Sequence, residues 1–318
     1  MEIGLYEEWM KPQIANLFSK QYSVGVEEFS KLISDFYNHP YQNNKCIRIV
    51  ACEGDVVIGF QSFFYWPYSL KGITYNSYQS GNSLVHPDYR GKGIFQKLLS
   101  YLDLHQKELN IDFLIGFPIM DSKNSLIRNN WINLFNLQWY VKILNPLSLL
   151  RSINILKLKH VFNDKMIDNT DTTDCLRLLN TNDFLQWRAD YSLNTDYVYY
   201  TFNEQEKYVQ FQMKLVTRKR VIKELQIGDM RTNNPHDALF LVNALKALTK
   251  RARKVSFLSI ISIAINEQAN SPLKTSLINT AYKRTTKSIF FMVKPFVPLK
   301  DLIDAKQWLI YRSDIDTW

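Results

Sequence analysis

VHPDYRGKGIFQKLL, Val85–Leu99, sets a proline, several charged residues and two glycines between an apolar pair and an amphipathic stretch. Pro87 closes a strand because it has no N–H to give to a ladder. Gly91 and Gly93 let the backbone turn tightly and leave its amides uncovered. The helix that begins near Gly93 adds unpaired N–H groups and the positive end of its dipole. Such a turn is a nest for a phosphate or diphosphate, with Arg90 and Lys92 beside it and the Arg90 guanidinium able to fork onto phosphate oxygens. It is neither a Walker loop, since GxxxxGK[ST] is absent, nor GxGxxG, since Gln96 takes the last glycine position.

Upstream of this turn, Trp9–Ser19 and Val26–Tyr37 carry helical spacing, and Cys46–Trp66 reads as two strands around Glu53-Gly54-Asp55. Gly72–Val85 is a further extended run. Downstream, Ile94–Leu109 is a helix with Ile94, Phe95, Leu98, Leu99 and Leu102 on one face, and Ile111–Phe117 is a buried strand of the parallel kind. Ser122–Asn129 suits a short helix capped by Asp121, and Leu134–Ile143 a last strand. After Asn145-Pro146 the pattern is vague until the helix Phe184–Tyr191. Glu206–Thr217 and Arg220–Met230 then pair as strands, followed by a helix over Pro235–Thr249, a strand over Val255–Ile261, a helix over Pro272–Tyr282 and a strand over Ser288–Phe296. The β, β, α, β, α, β succession thus occurs twice, which predicts an α/β (α+β) protein of two similar domains, residues 1–145 and 146–318.

With 318 residues, 46% of them hydrophobic and 22% charged, the chain has the composition of a globular protein. Its formal net charge of +9 favours an anionic partner. The basic clusters Arg218–Arg220 and Thr249–Lys254 lack interleaved aromatics, which argues against nucleic acid. The five histidines stand apart from one another and from the cysteines, so no metal site is expected. No GxSxG or Cys-His arrangement supports a covalent acyl-enzyme. Cys46 and Cys52 lie on one extended segment and cannot pair there. With no signal peptide and no apolar run longer than about half a bilayer span, a soluble cytoplasmic protein without an integral membrane segment is expected.

VHPDYRGKGIFQKLL resembles the acyl-CoA-binding segment of the GNAT superfamily of CoA-dependent N-acetyltransferases, in which a strand ending V-x-P runs into Q/R-x-x-G-x-G/A at the start of a helix. Asp88 stands where that pattern has Gln or Arg. The resemblance implies a GNAT fold, a central mixed and mostly antiparallel sheet flanked by helices, with acetyl-CoA as acyl donor. Backbone amides of Arg90, Gly91, Lys92, Gly93, Ile94 and Phe95 would hold the diphosphate. Leu84 and Val85 would pair with the pantetheine arm, and Ser122 and Asn124 would lie near its far end. GFPIMDSKNSLIRNNW, Gly116–Trp131, is similar to the G-F-P-N-x-x-S segment of a narrower subgroup, with Ile119 where Asn is usual and Asn130 where Gly is usual. FLQWRADY, Phe184–Tyr191, looks like that subgroup's F-L-x-W-R-Y element. The subgroup carries two GNAT-like halves and is linked to bacterial surface-polysaccharide synthesis, which implies an amino-sugar acceptor, nucleotide- or lipid-linked. The second half has no matching glycine loop, so it is expected to shape the acceptor site.

Acyl transfer to an amine needs somewhere for one proton to go and a proton for the thiolate. The short helix offers no Tyr for the second task, leaving Tyr140 as a substitute. His86 beside the thioester strand is a candidate base. Asp314 and Asp316, two apart on what reads as an extended tail ending in Trp318, would face one way and hold an acceptor ammonium. Trp187 and Arg188 divide between core duty and binding a sugar or phosphate. Peptides, polyamines and drug amines are alternative acceptors, and a CoA- or nucleic-acid-binding protein without turnover is the alternative outside enzymes.

Overall fold

Pro12 opens the first long helix and Ser23, at φ 55°, ends it. The computed structural model describes residues 1–23, 25–167, 174–191 and 197–316. In chain order the first elements are β1 (Glu2–Leu5), α1 (Lys11–Tyr22), α2 (Val26–Tyr37), β2 (Ile47–Glu53), β3 (Val56–Tyr65), β4 (Tyr68–Leu70), β5 (Ile73–Tyr75) and β6 (Ser77–Val85). Then come α3 (Ile94–His105), β7 (Phe113–Gly116), α4 (Met120–Arg128), β8 (Ile132–Ile143), α5 (Ile155–Val161), β9 (Arg177–Leu178) and α6 (Asn182–Tyr191). The chain finishes with β10 (Tyr197–Glu204), β11 (Lys207–Arg218), β12 (Ile222–Thr232), α7 (Ala238–Ala252), β13 (Ile260–Ile265), α8 (Ser271–Asn279) and β14 (Lys283–Pro295).

Several of these correct the sequence reading. The single extended run expected over Gly72–Val85 is broken at Asn76, whose N–H goes to Asp112 Oδ2 at 2.7 Å: β5 folds back on β4 across the positive-φ turn of Lys71 and Gly72, while β6 joins β3 and β7. Asp121 is not a cap: α4 begins at Met120, and Asp121 sits in its first turn. The strand expected at Val255–Ile261 lies instead at Ile260–Ile265, since Val255, Phe257 and Leu258 bury themselves in the turn after α7. The tail around Asp314 is a 3-10 turn, Arg312–Asp314, and not extended.

The chain forms two units, Met1–Leu134 with Thr172–Leu193 and Phe290–Asp304, and Phe135–Asp171 with Asn194–Ile289 and Ala305–Trp318. In the first, the sheet order is β1-β2-β3-β6-β7-β14, with β6 and β7 parallel and the other neighbours antiparallel. Leu98 and Leu102 of α3 pack on it with Ile49, Phe63, Leu114 and Trp131. On β3, Phe64 meets an aromatic cluster of Phe36, Trp66 and Trp187. In the second unit the order is β10-β11-β12-β13-β8, with β12 and β13 parallel. Leu241, Leu245 and Leu248 of α7 pack there against Phe211, Leu225, Ile227 and Ile263.

The last strands are exchanged. β8 follows α4 in the chain yet pairs with β13, Ile143 opposite Ile260 and Gln138 opposite Ile265. β14 follows α8 yet pairs with β7, Met292 opposite Gly116 and Pro295 opposite Phe113. Among the described residues no helix is long and apolar enough to cross a membrane.

Candidate functional site

The turn between β6 and α3 is built from its own sequence. His86 N–H bonds back to Ile58 O at 2.8 Å, and Pro87–Tyr89 then form one 3-10 turn. Gly91 and Gly93 take φ values of 77° and 73°, a region costly for residues with a Cβ. Gly93 caps α3 in the left-handed conformation. Among the described residues no acceptor takes the N–H of any residue from Gly91 to Gln96; the next amide, Lys97, bonds to Gly93 O at 3.1 Å. A Cβ on Gly91 or Gly93 would meet nothing within 4 Å, so these amides surround open space. A run of uncovered N–H groups at the positive end of a helix dipole fits a diphosphate.

The two cations of the turn are held by neutral groups. Arg90 donates Nε to Val85 O at 3.2 Å and Nη2 to Gln21 Oε1 at 2.8 Å. Lys92 Nζ lies 4.6 Å from the Tyr89 ring centroid, and the Tyr89 hydroxyl donates to Glu53 at 2.6 Å. Neither cation is ion-paired among the described residues, so both charges are available to an anion.

Beside the turn the sheet opens. The parallel ladder of β6 and β7 runs from Ser77 opposite Phe113 to Ser80 opposite Gly116 and stops. Beyond it, Gly81–Val85 pair with β3 alone. A bulge causes part of this divergence: Ser62 faces Gly81 while Phe60 faces Leu84, and Asn82 sits at φ 49°. Pro118, just past β7, cannot extend the ladder. Gly116 is needed for another reason, since a Cβ there would come 3.2 Å from the buried Trp131 ring, which explains the Gly and the Trp of the quoted segment together.

The bulge is locked by polar side chains that sequence reasoning passed over. Asn82 Nδ2 donates to the Tyr37 hydroxyl at 2.9 Å, Tyr37 to Ser62 Oγ at 2.8 Å, and Ser62 to Gly81 O at 2.9 Å. Gln61, fully buried, donates to Ser80 Oγ at 3.1 Å and accepts from Ser83. Burial pushes the Tyr37 phenol up, so it keeps its proton. The signal was present as a polar Gln-Ser pair inside the otherwise apolar VVIGFQSFFY.

The other sequence-predicted residues have these surroundings. Leu84 is buried and Val85 and Phe95 half-buried. Ser122, in the first turn of α4, donates to Ile119 O at 3.2 Å, and Asn124 on the same helix is exposed. His86 Nδ1 accepts from Asp88 N–H at 3.3 Å, which in the neutral ring leaves the proton on Nε2 as a donor. Tyr140 belongs to the second unit and donates to Glu267 at 2.6 Å; burial, then this bond, raises its pKa.

Burial decides between the two readings of Trp187 and Arg188, and one expectation is corrected. Trp187 does core duty: it is 0% exposed, donates Nε1 to Phe36 O at 3.1 Å, and packs against Tyr41, Trp66 and Phe184, with Arg188 buried over Trp66. Asp314 and Asp316 do not face one way: Asp314 is 3% exposed and accepts from Tyr311 N–H at 2.8 Å, whereas Asp316 is half-buried. Trp318 lies outside the described residues.

Residues 11–114 match the model of the acetyltransferase (GNAT) family. No curated protein matches the sequence. Among solved structures, the chain is similar to a GCN5-related N-acetyltransferase from Anabaena variabilis, with a TM-score of 0.59 at 11% identity over 92% of this chain and 73% of that one. A conserved Enterococcus faecalis protein described as a probable N-acyltransferase gives 0.57 at 12% identity, over 92% and 72%. Saccharomyces cerevisiae N-myristoyltransferase with bound myristoyl-CoA gives 0.51 at 9% identity, over 96% and 83%. The chain has the mixed α/β GNAT fold.

Proposed function

We propose that the protein transfers the acetyl group of acetyl-CoA to the primary amine of an amino sugar, nucleotide- or lipid-linked, by direct attack in a ternary complex. The observation that carries the donor half of this reading is the run of uncovered amides from Gly91 to Gln96 beside the open edge of β6. Those amides would hold the diphosphate, with Arg90 and Lys92 adding charge. The free edge at Gly81–Val85 would take the pantetheine arm as an added strand, with Leu84 and Val85 along it. The thioester would lie towards the locked bulge, where a backbone N–H polarises its carbonyl. Ser122 and Asn124 on α4 would stand at the far end of the arm.

In the reaction the amine nitrogen bonds to the acetyl carbon and the C–S bond breaks. One proton leaves the nitrogen for solvent water, and the thiolate is protonated. With its proton on Nε2, His86 is suited to give a hydrogen bond rather than to take the amine's proton. Tyr140 keeps its proton on Glu267. The amino-sugar acceptor rests on the resemblance of Gly116–Trp131 and Phe184–Tyr191 to a subgroup of polysaccharide-linked enzymes with two GNAT-like halves. In that reading residues 146–318 contain a second half that has lost cofactor binding and shapes the acceptor site. We place the enzyme in the cytoplasm, where acetyl-CoA is available and free Cys46, Cys52 and Cys175 stay reduced.

The test is free-thiol release from acetyl-CoA against a panel of amino sugars, with peptide amines and polyamines as competing acceptors. Release with an amino sugar supports the reading. Release with peptides or polyamines alone overturns the acceptor, and the absence of any coenzyme A binding overturns the donor.

A further inference from the structure

The second unit carries an unexplained cluster on the sheet face opposite α7. Leu225, Ile227, Ile261 and Ile263 point to the helices and are fully buried. The alternate residues Glu224, Gln226 and Ser262 are also buried, although polar. Trp139 of β8 lies beside them in the register, opposite Ala264, and is 3% exposed. Its indole Nε1–H is buried and has no acceptor among the described residues. Two cations flank the same ring: Lys287 Nζ at 4.6 Å and the Arg218 guanidinium at 5.5 Å from its centroid.

The charges do not balance. Arg218 pairs with Glu224, which also accepts from Ser262 and, at 3.4 Å, from Gln226. The Lys287 ammonium makes no hydrogen bond or ion pair among the described residues, although its backbone N–H donates to Thr285 Oγ1 at 3.2 Å. Partial desolvation of its ammonium, then the nearby Arg218 and Arg312, lowers its pKa against the opposite pull of Glu224. Glu224 pairs with Arg218, which leaves the Lys287 ammonium and one buried N–H donor without an acceptor among the described residues. Buried donors are normally satisfied, and an unpaired one calls for an acceptor. Lys287 is exposed, so the cluster is open to solvent on that side.

We infer that Trp139, Lys287 and Arg218 form a binding site for an oxyanion carried by a small molecule, with the indole N–H and the Lys287 ammonium donating to its oxygens. None of these residues belongs to the Gly91–Gln96 turn, and the inference stands whether or not that turn holds coenzyme A.

Titration calorimetry of the full chain with acetate, dimethyl phosphate and inorganic sulfate tests this. At least one of the three is expected to bind saturably, and which one binds identifies the source of the oxyanion. Lys287→Ala should weaken binding about tenfold, the worth of one charge-assisted hydrogen bond. Trp139→Phe keeps an aromatic ring and removes the donor, and should also weaken it, whereas Lys246→Ala, at an exposed position on α7, should leave it unchanged. Because Lys287 is exposed, its variant decides the matter even if Trp139→Phe fails to fold. No saturable binding of any of the three anions, binding indifferent to Lys287→Ala, or binding lost in Lys246→Ala overturns the inference.

Discussion

Gly59 of β3 lies directly beneath Ile94, the first residue of α3: a Cβ at Gly59 would come within 2.9 Å of Ile94 Cγ2 and 3.3 Å of Leu98 Cδ1 and Ala51 Cβ. The missing side chain lets α3 rest against the sheet, and the helix carries the uncovered amides. Gly59→Ala is therefore expected to cost about 1–3 kcal/mol in urea unfolding through overpacking. It should also weaken coenzyme A binding by displacing the first turn of α3, although Gly59 touches no ligand itself. Unchanged binding with reduced stability would separate the packing from the amide cradle.

Gly91 and Gly93 should behave differently from Gly59. Alanine there meets no neighbour within 4 Å, so its cost is the positive φ alone, about 1–2 kcal/mol. Gly91→Asp adds a carboxylate beside the cradle and is expected to abolish coenzyme A binding in calorimetry while the thermal unfolding transition persists.

Trp187 is expected to be a stability residue. Trp187→Ala should cost about 3–5 kcal/mol, because the ring is fully buried among aromatics. Trp187→Phe should keep the fold and leave the KM for the amine within twofold of the parent, as the side chain reaches no solvent.

Glu267 gives the second unit an acid sensitivity. Burial alone would raise its carboxyl pKa, but bonds from Tyr140, Arg284 and Lys274 outweigh it and hold the carboxyl below its ordinary value. A depressed folded pKa adds stability that is present above the unfolded value and lost as pH falls through the folded one. Thermal unfolding between about pH 5 and pH 3 should accordingly show a steeper fall for the parent than for Glu267→Gln. At pH 7 the variant should be the less stable by about 1.5–3 kcal/mol, the worth of bonds to a charged group.

The turn was legible because its chemistry is local. Gly91 and Gly93 are glycines for reasons of φ, and the strand, turn and helix follow one another without interruption. The short β1 was missed because four residues carry too little periodicity, and β10 because Tyr197–Glu204 mixes aromatic and polar residues on both faces. Trp187 and Arg188 were ambiguous in sequence because an aromatic–arginine pair serves a core and a sugar site equally well. Only burial separates the two. The lock at the bulge depends on Asn82 reaching Tyr37 across a long sequence separation, which no spacing pattern encodes. The partners of β8 and β14 are hidden for the same reason, since an apolar strand does not declare which edge it will join.

The exchanged strands also bear on how the protein is made. When β7 leaves the ribosome its free edge has no local strand to take, because its partner Met292–Pro295 comes far later in the chain than Phe113–Gly116. Until then the edge is open to intermolecular pairing, and closing it is a late, non-local step of the kind that slows folding. A truncated transcript should therefore yield aggregated chains rather than a usable donor-binding domain, and expression at lower temperature should favour the full-length product.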